Sequence, residues 1–324
     1  EDGDTLVFGS EPKIIIDQIP KLRRVNMQAV SDYLSFRYAL GGNSFFSGVH
    51  SVEPGTYKII SGKSIKTINY WSLPIVRNKL DIGEQAALDG INELLTSSVN
   101  YRMIADVPVG SFLSGGLDSS ALVWQMSQNT NNPIHTFCTG FNEDGFNEFD
   151  YARTVAKHCN TKHSEVILDV DSYLESFHKM LLIKDAPIAV PNEIALHKLS
   201  LELKKDVTVV LSGEGADELF GGYGRIFRSS YDFQRISQSG GDLPSVLKKN
   251  LQKKYTNMNW EGEVDHFLEQ YSYISNNDKQ NIFTQDVFSS LGSDPHNKSF
   301  FNNLWVELEG LSLTEKYMWI FQKV

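Results

Sequence analysis

The stretch Val109-Gly110-Ser111-Phe112-Leu113-Ser114-Gly115-Gly116-Leu117-Asp118-Ser119-Ser120 decides the fold and points to the chemistry. It opens with the apolar run Val109 to Leu113, and the residues from Leu117 to Met126 have helical spacing. The pattern predicts a strand, a glycine turn and the start of a helix. Glycine lets the backbone turn tightly and approach a ligand. The free N–H groups at the start of a helix favour an anion there.

The polar residues of this turn predict a cradle for pyrophosphate and a divalent cation. Ser119 and Ser120 supply hydroxyl donors. Asp118 would repel a bare phosphate, but a bridging cation takes both carboxylate and phosphate oxygens. The turn is not a Walker loop, because no lysine follows the glycines. Taken alone, a Ser-Gly-Gly turn is more often an ordinary corner between a strand and a helix.

A second segment, Leu211-Ser212-Gly213-Glu214-Gly215-Ala216-Asp217-Glu218-Leu219-Phe220-Gly221-Gly222-Tyr223, has the same organisation. It follows the apolar run Val207 to Leu211, which predicts a strand that ends at Ser212 and Gly213. Three acidic residues then fall within five positions, namely Glu214, Asp217 and Glu218. A fold does not require such a cluster, whereas ligands of open parallel sheets bind beyond the carboxyl ends of the strands.

Runs typical of strands and of helices alternate around these two segments. The predicted strands are Val109–Leu113, Ile134–Thr139, Ser164–Leu168 and Val207–Leu211, and the predicted helices are Leu117–Met126, Asp150–His158, Asp171–Leu182 and Asn192–Leu203. This order predicts an α/β fold, a parallel sheet with helices on both faces. Right-handed crossovers place the carboxyl ends of all strands along one edge. Both glycine turns are therefore predicted to lie where they could share one ligand.

The rest of the chain carries weaker patterns. A short strand is predicted from Asp4 to Phe8 and a helix from Met27 to Tyr38. Pro54-Gly55 predicts a turn before a hairpin of Thr56–Ile60 and Ser64–Tyr70. Leu88, Ile91, Leu95 and Val99 form one stripe of a predicted helix from Glu84 to Tyr101, and we expect this stripe to pack on the sheet. Residues 244 to 324 are predicted to be helical.

Composition limits the classes of function. The 324 residues allow two domains, and 41% hydrophobic with 22% charged residues is typical of a globular protein. The net charge of −10, from 30 basic and 40 acidic residues, gives no basic surface for nucleic acid. No apolar run of about 18 residues predicts a membrane span, and no signal peptide is visible. Because the chain starts with Glu1 and not Met, we expect it to be part of a longer protein.

The two cysteines predict a reducing compartment. Cys138 and Cys159 are too few for a disulfide framework and do not form a Cys-x-x-Cys pair. Both lie in predicted regular elements, so we expect them to be core thiols. A cytoplasmic location follows from this interpretation.

Asp106 to Ser120 and Leu211 to Tyr223 resemble the two signature segments of glutamine-dependent asparagine synthetases. That family belongs to the N-type ATP pyrophosphatases, whose phosphate cradle is called the PP-loop. The resemblance implies an adenine nucleotide alpha hydrolase-like fold that uses ATP and Mg²⁺. In the family, the residue at the position of Thr139 lies along the adenine and contacts it through its main chain. Two departures are that the family more often has Asp where Asn147 stands, and glycine is usual where Asn160 stands. The second is mild, because asparagine tolerates the left-handed conformation at the end of a helix.

The resemblance and the residue chemistry together assign candidate roles. The expected ATP and pyrophosphate residues are Phe112, Ser114, Gly115, Gly116, Asp118, Ser119, Ser120, Thr139, Ser212 and Gly213. Asp118 and Asp217 are the expected Mg²⁺ ligands, with Glu218 as an alternative. Glu214 is expected to handle the proton that is lost when ammonia attacks, which makes Glu214, Asp118 and Asp217 the candidate catalytic residues.

The resemblance also divides the chain. Residues 1–79 are similar to the C-terminal end of a class II glutamine amidotransferase domain, and residues 80–324 to the ATP-pyrophosphatase synthetase domain, which in the family continues further. The amidotransferase nucleophile is normally a cysteine at the start of that domain. Neither Cys138 nor Cys159 has such a position, so glutaminase activity is not assigned to either of them. A homodimer is an assembly that the resemblance allows.

The predicted activity is that of an ATP-dependent, amide-forming ligase. The resemblance implies aspartate as the acid and glutamine as the source of ammonia, with asparagine, AMP and pyrophosphate as products. Three alternatives stay open at this point. Another carboxylate could be the substrate, such as a cell-surface sugar acid or an antibiotic precursor. The chain could bind nucleotide without catalysis, or it could transfer a phosphoryl group and release ADP.

Overall fold

The computed structural model describes residues 5–62, 64–142, 145, 147–239, 242–255, 258–292 and 295–324. In chain order, the elements are α1 (Pro12–Gln18), a 3₁₀ turn (Pro20–Leu22), α2 (Met27–Phe36), β1 (Thr56–Ser61), β2 (Ser64–Asn69), α3 (Glu84–Met103), β3 (Val109–Phe112), α4 (Leu117–Gln128), β4 (His135–Phe141), α5 (Phe149–His158), β5 (Lys162–Leu168), α6 (Val170–Lys184), α7 (Asn192–Leu203), β6 (Val209–Leu211), α8 (Ala216–Phe220), α9 (Gly224–Gln238), α10 (Ser245–Lys254), α11 (Glu263–Tyr271), α12 (Asn276–Lys279), α13 (Gln285–Ser290), α14 (Pro295–Glu307) and α15 (Leu313–Lys323). None of the described helices is long and apolar enough to cross a membrane.

The chain forms two compact units. The first comprises Glu1–Arg77 together with Asp217–Val324, and the second comprises Asn78–Ala216. The junction after Arg77 lies two residues before the domain boundary expected from the sequence. The expected boundary separates an amidotransferase-like segment from a synthetase-like segment, whereas the two units are defined by packing. The expected boundary therefore stays a prediction.

The second unit contains the predicted parallel sheet. Its strand order is β5-β4-β3-β6, and all three neighbouring pairs are parallel. Alternate residues of β4 point to opposite faces, as the period of a strand requires. Cys138 packs with Ala152 and Ala156 of α5 on one face, and Phe137 packs with Leu199 of α7 on the other. The predicted sheet with helices on both faces is confirmed.

The helix before the sheet differs from its prediction. Of the stripe on α3, only Val99 is buried, where it packs with Met126 and Ile134. Leu88, Ile91 and Leu95 are 53%, 43% and 36% exposed. The expectation that the whole stripe packs on the sheet was wrong, because within this unit only the C-terminal part of α3 reaches the core.

The first unit is organised around an aromatic core among helices. Phe36 of α2 packs in one cluster with Phe267 of α11, Phe301 of α14 and Tyr317 of α15. The rings of Phe267 and Phe301 lie 5.4 Å apart between centroids, and those of Phe36 and Phe301 lie 5.3 Å apart. The N-terminal 77 residues and the C-terminal helices therefore share one hydrophobic core. A segment of fewer than about 80 residues would have only a small core of its own.

The hairpin of this unit matches its prediction. β1 and β2 pair antiparallel from Thr56↔Asn69 to Ser61↔Ser64, and Lys63 of the loop lies outside the described residues. Gly55 has a φ of +71°, as the third position of the predicted turn requires. The strand predicted from Asp4 to Phe8 is absent over residues 5–8, where Thr5 forms only an isolated bridge; Asp4 lies outside the described part of the chain.

A buried histidine makes the stability of this core depend on pH. The imidazole of His266 is fully buried; its Nδ1 forms a hydrogen bond with the Tyr317 hydroxyl, and its Nε2 has no partner among the described residues. Burial lowers the pKa of His266 to about 4. The unfolded chain takes up this proton near pH 6.5, whereas the folded chain does so only near pH 4. Stability is therefore expected to fall as the pH drops from 6.5 towards 4.

His266→Gln is expected to flatten this dependence. One proton bound only by the unfolded state changes the free energy of unfolding by at most about 1.4 kcal/mol per pH unit. Urea unfolding of the unchanged chain and the variant between pH 7 and pH 5 measures the difference. His50→Gln, at an exposed histidine, is the matched control and should leave the slope unchanged. Equal slopes for His266→Gln and the unchanged chain would contradict the assignment.

Candidate active site at the carboxyl edge of the sheet

The first glycine turn has the geometry that the sequence predicts, and Gly115 is required in it. β3 ends at Phe112, and α4 begins at Leu117. Gly115 has a φ of +84°, a conformation that residues with a side chain rarely adopt. A Cβ atom at this position would lie 2.5 Å from the main-chain atoms of Tyr151 and Ala152. The start of α5 therefore packs directly against the turn.

The hydroxyls of Ser114 and Ser119 form a hydrogen-bond network in the turn, which does not include the Ser120 hydroxyl. Ser114 Oγ and Ser119 Oγ lie 3.0 Å apart, and the Gly116 N–H donates to Ser114 Oγ at 3.2 Å. Ser119 Oγ also donates to the carbonyl oxygen of Gly116. Ser120 Oγ is buried and has no partner among the described residues. A buried hydroxyl without a partner is costly, and a bound ligand oxygen would satisfy it.

The N-terminus of α4 is open to an anion. Its N-cap is Gly116, and no side chain caps the first N–H groups of the helix. Such N–H groups and the helix dipole together attract negative charge. Asp118 lies in the first turn of α4 and is exposed, so its carboxylate is accessible to a cation from solvent.

The second glycine turn touches the first. β6 pairs with β3 from Val109↔Val209 to Ser111↔Leu211, so both strands end at the same edge. A Cβ atom on Gly213 would lie 3.0 Å from Asp118 Cβ and 3.1 Å from the main-chain nitrogen of Ser119. Glycine at 213 thus allows the second turn to pack on the first turn of α4. Ser212 and Glu214 flank this contact and are exposed.

Thr139 presents its main chain to the same edge. The N–H of Leu113 donates to the carbonyl oxygen of Phe137 at 2.8 Å, so the peptide groups of Phe137 face β3. N–H and C=O groups of alternate residues point to the same neighbouring strand. The N–H and C=O groups of Thr139 therefore also point to the β3 side. At this level β3 has ended, and the glycine turn lies there instead. The Thr139 side-chain oxygen is buried without a partner in the described structure.

The cysteine of the same strand is not a nucleophile. Burial raises the pKa of the Cys138 thiol to about 11, and the carboxylates of Glu148 and Glu165 act in the same direction. The thiol is therefore protonated at neutral pH, and only a thiolate is reactive. Cys138 and Cys159 are both free, which agrees with the expectation of core thiols, although Cys159 is only half-buried.

Two of the predicted acidic residues belong to the first unit. The Asp217 carboxylate lies directly over Gly222, where a Cβ atom could not be accommodated, and the Gly222 N–H donates to the Asp217 carbonyl oxygen at 2.9 Å. The Glu218 carboxylate accepts a hydrogen bond of 2.7 Å from the Tyr223 hydroxyl. Glu218 is therefore already paired, whereas the Asp217 carboxylate has no such bond to any of the residues that the structure describes.

The structure brings together most of the predicted residues. Those at the carboxyl edge of the sheet in the second unit are Phe112, Ser114, Gly115, Gly116, Asp118, Ser119, Ser120, Thr139, Ser212, Gly213 and Glu214. Asp217 and Glu218 follow in the sequence and belong to the other unit. Their assignment as metal ligands stays a prediction.

The residues at the edge fit a nucleotide phosphate with magnesium. The fit rests on the unpartnered Ser120 hydroxyl, the uncapped start of α4 and two glycines at which a side chain would obstruct the turn. Over the described residues, no group of three or more His, Cys, Asp or Glu could hold a metal. Magnesium needs no such group, because it retains water and binds through one or two carboxylates and the phosphates of its substrate.

Two contacts at this edge escaped sequence reasoning. The backing of Gly115 by Tyr151 and Ala152 joins residues far apart in the sequence. The other contact is a pair of hydrogen bonds between the Asn147 side chain and the main chain of Phe141. Asn147 stood out in the sequence only as a departure from a resembling family, and a spacing rule gives no sign of such a contact.

A four-stranded parallel sheet with helices on both faces and two serine-glycine turns at its carboxyl edge defines an α/β protein of the PP-loop type. The family described as "Asparagine synthase" matches residues 90–308, which is more than half of the chain. The chain belongs to this asparagine synthase family.

Curated relatives agree with the family assignment. Asparagine synthetase [glutamine-hydrolyzing] 1 of Bacillus subtilis is 33% identical over 250 residues, which are 77% of this chain and 38% of that protein. Putative asparagine synthetase [glutamine-hydrolyzing] 2 of Methanocaldococcus jannaschii is 34% identical, over 68% of this chain and 44% of that protein. The chain thus spans about two fifths of the length of these relatives. The solved NH3-dependent NAD synthetase of Campylobacter jejuni has 14% identity, a TM-score of 0.33 and coverage of 65% of this chain and 95% of that one, a likeness too weak to bear on function.

Proposed function

We propose that the protein is an ATP-dependent ligase that forms an amide by adenylating a carboxylate. The carboxylate attacks the α-phosphorus of ATP, which gives an acyl-adenylate and releases pyrophosphate. Ammonia then attacks the activated carbonyl, and AMP leaves. The observation that carries the proposal is the contact between the two glycine turns, at Gly213 against Asp118 and Ser119.

The proposed roles follow the chemistry of each group. Backbone N–H groups at the start of α4 and the hydroxyls of Ser119 and Ser120 stabilise the charge that develops on pyrophosphate. Asp118 holds magnesium, which neutralises phosphate charge when it is bound. The sequence adds Asp217 as a second ligand, with Glu218 as the alternative, although the bond from Tyr223 makes Glu218 the less available carboxylate.

Glu214 is proposed to take the proton from the attacking nitrogen. Addition of ammonia to a carbonyl gives a positively charged nitrogen, which must lose a proton before the adenylate can leave. The carboxylate of Glu214 follows the second glycine turn directly and is exposed, so it is accessible to a substrate at this edge. Thr139 and Phe112 are proposed to line the base of the nucleotide, and Ser212 its phosphate end.

The finer assignments come from the relatives and the sequence. Their names specify asparagine synthesis with glutamine hydrolysis, so we propose aspartate as the acid and glutamine as the source of ammonia. Residues 1–79 are proposed to derive from a class II amidotransferase domain and residues 80–324 from the synthetase domain. We also propose a homodimer, and a reducing compartment such as the cytoplasm because both thiols are free.

Product analysis tests the reaction class. The protein is incubated with ATP, Mg²⁺, an ammonium salt and a panel of acids that contains aspartate, sugar acids and β-amino acids. Acid-dependent release of AMP and pyrophosphate in equal amounts is expected. Release of ADP would indicate phosphoryl transfer, and ATP binding without turnover would indicate a nucleotide-binding protein. No stimulation by aspartate, with stimulation by another acid, would overturn the asparagine assignment but retain the ligase.

A further inference from the structure

The last residue of β4 lacks a strand partner on one side. The Lys162 N–H donates to the Ile134 carbonyl oxygen at 2.8 Å, so the peptide groups of Ile134 and of alternate residues after it face β5. Those of Phe137, Thr139 and Phe141 face β3. The pairing of β3 with β4 ends at Phe112↔Phe137. At the level of Phe141, no strand of the described residues lies on the β3 side to accept or donate a hydrogen bond.

The side chain of Asn147 takes the place of that strand. The Phe141 N–H donates to Asn147 Oδ1 at 2.6 Å, and Asn147 Nδ2 donates to the Phe141 carbonyl oxygen. One carboxamide thus supplies the acceptor and the donor that a neighbouring strand would supply. These two bonds fix where the ladder of β4 ends, at a residue that is itself exposed.

The close approach of Asn147 depends on Gly140. A Cβ atom at Gly140 would lie 2.5 Å from the ring of Phe149 and still nearer to Asn147 Oδ1. Gly140 and Phe149 are buried, whereas Asn147 is half-buried, so a side chain at position 140 would displace the Asn147 carboxamide first. The carboxamide is therefore seated between the end of β4 and the start of α5, which also packs behind Gly115.

We propose that Asn147 is a positioning residue for the nucleotide. Two residues after Thr139, the main-chain groups of Phe141 are hydrogen-bonded to the Asn147 side chain. Two residues before Thr139, the carbonyl oxygen of Phe137 accepts from the Leu113 N–H. Between these two levels, the peptide groups of Thr139 face the glycine turn without a hydrogen bond to another main-chain group in the described structure, and the Thr139 carbonyl oxygen accepts only the weak bond from the Cys138 thiol, at 3.6 Å. Asn147 acts through this geometry, by holding the strand so that the main chain of Thr139 is presented to the ligand. The inference rests on the proposed function.

The carboxamide both donates and accepts, which makes the substitution Asn147→Asp informative, because the aspartate that is more frequent here in the family would, when ionised, keep only one of the two bonds. An ionised carboxylate accepts from the Phe141 N–H but repels the Phe141 carbonyl oxygen. A protonated carboxyl donates to that oxygen and restores both bonds. The charged groups of the adjoining elements are Glu148, Asp150 and Arg153 of α5 and its start, and His163 and Glu165 of β5. Glu143 and Asp144 stand nearby in the sequence, outside the described residues.

The acids among these groups raise the pKa of a carboxyl at position 147, whereas the Phe141 N–H and the start of α5 lower it. Arg153 is committed to Glu165 and Asp150, at 2.7 and 3.0 Å. Burial lowers the pKa of His163. At a pH where the carboxyl at 147 gains its proton, both bonds to Phe141 are restored.

The test measures the dissociation constant of Mg·ATP by calorimetry at several pH values between 8 and 5.5. At pH 8, Asn147→Asp is expected to bind about tenfold more weakly than the unchanged chain, as the loss of one hydrogen bond with an unpaired acceptor implies. The deficit should shrink towards pH 5.5. Asn147→Ala should show a deficit at every pH. Asn142→Asp, at an exposed asparagine next to Phe141, adds the same charge and should bind like the unchanged chain.

Hydrogen exchange of the Phe141 amide is read in the same samples, because it reports the bond to position 147 without any ligand. It should be fast in Asn147→Ala, and it should stay protected in Asn147→Asp, whose carboxyl accepts from the Phe141 N–H in either protonation state. Equal ATP affinity of Asn147→Ala and the unchanged chain would overturn the positioning role, as would equal affinity of Asn147→Asp and the unchanged chain at pH 8. Absence of ATP binding by the unchanged chain would overturn the proposed function itself, and the exchange data would separate that outcome from a failure of the Asn147 contact.

Discussion

Gly115→Ala is expected to abolish detectable ATP binding and to destabilise the second unit by about 2 kcal/mol or more. The φ of +84° at this residue costs an alanine about 1–2 kcal/mol. The added Cβ would also lie 2.5 Å from the main chain of Tyr151 and Ala152, and backbone atoms cannot turn aside as a side chain can. Either the turn or the start of α5 must move. Calorimetric titration with Mg·ATP and urea unfolding measure the two losses.

A second glycine separates backbone strain from the collision. Gly145 has a φ of +82°, and a Cβ atom there would meet nothing within 4 Å. Gly145→Ala should therefore show the cost of the left-handed conformation alone, without loss of ATP binding. If both variants lost the same stability and both still bound ATP, the packing of α5 behind the turn would have no part in the site.

The parallel sheet could be predicted because its signals are local and repeated. Each predicted strand of the second unit was found within about two residues of its expected bounds, and α7 was found with the bounds expected, Asn192–Leu203. Asn160 has a φ of +50°, which agrees with its assignment as a residue that tolerates the left-handed end of a helix. Periodicity and turn residues carry this information within a few positions of the chain.

Burial on α3 could not be predicted in the same way. A stripe of apolar residues shows which side of a helix is apolar, but not how far a neighbouring element extends along it. Leu88 and Ile91 satisfy the pattern as well as Val99 does, yet only Val99 reaches the core of the described structure. The shared core of α2 with α11, α14 and α15 is equally invisible in local patterns, since its partners are far apart in the sequence.

The site was predictable as a list of residues but not as a set of contacts. Both serine-glycine turns follow strands, so their placement at one edge came from topology alone. Two contacts depend on packing between elements: Gly213 touches Asp118, and the Asn147 side chain is hydrogen-bonded to the main chain of Phe141. Such contacts are selected by shape, and no fixed spacing in the sequence encodes them.

Asp118→Asn is expected to lower magnesium-dependent pyrophosphate release by roughly 100-fold or more, the size typical of losing one preorganised charged group in an active site. The amide keeps the shape of the side chain but supplies no negative charge to a cation. Asp118 also lies in the first turn of α4, where a carboxylate stabilises the helix by about 0.3–1 kcal/mol. The expected loss of rate is larger than this helix effect can explain. Stopped assays of pyrophosphate at several Mg²⁺ concentrations measure it.

A matched substitution isolates the role of the metal. Asp171 is an exposed acid in the first turn of α6, so Asp171→Asn removes the same charge from the same kind of helix position. That variant should lose a similar, small amount of stability and retain the rate of the unchanged chain. For Asp118→Asn, the Mg²⁺ concentration needed for half-maximal rate should rise, because a ligand of the cation is gone, whereas binding of ATP without metal should change little. A rate equal to that of Asp171→Asn at saturating Mg²⁺ would show that Asp118 serves the helix and not the cation.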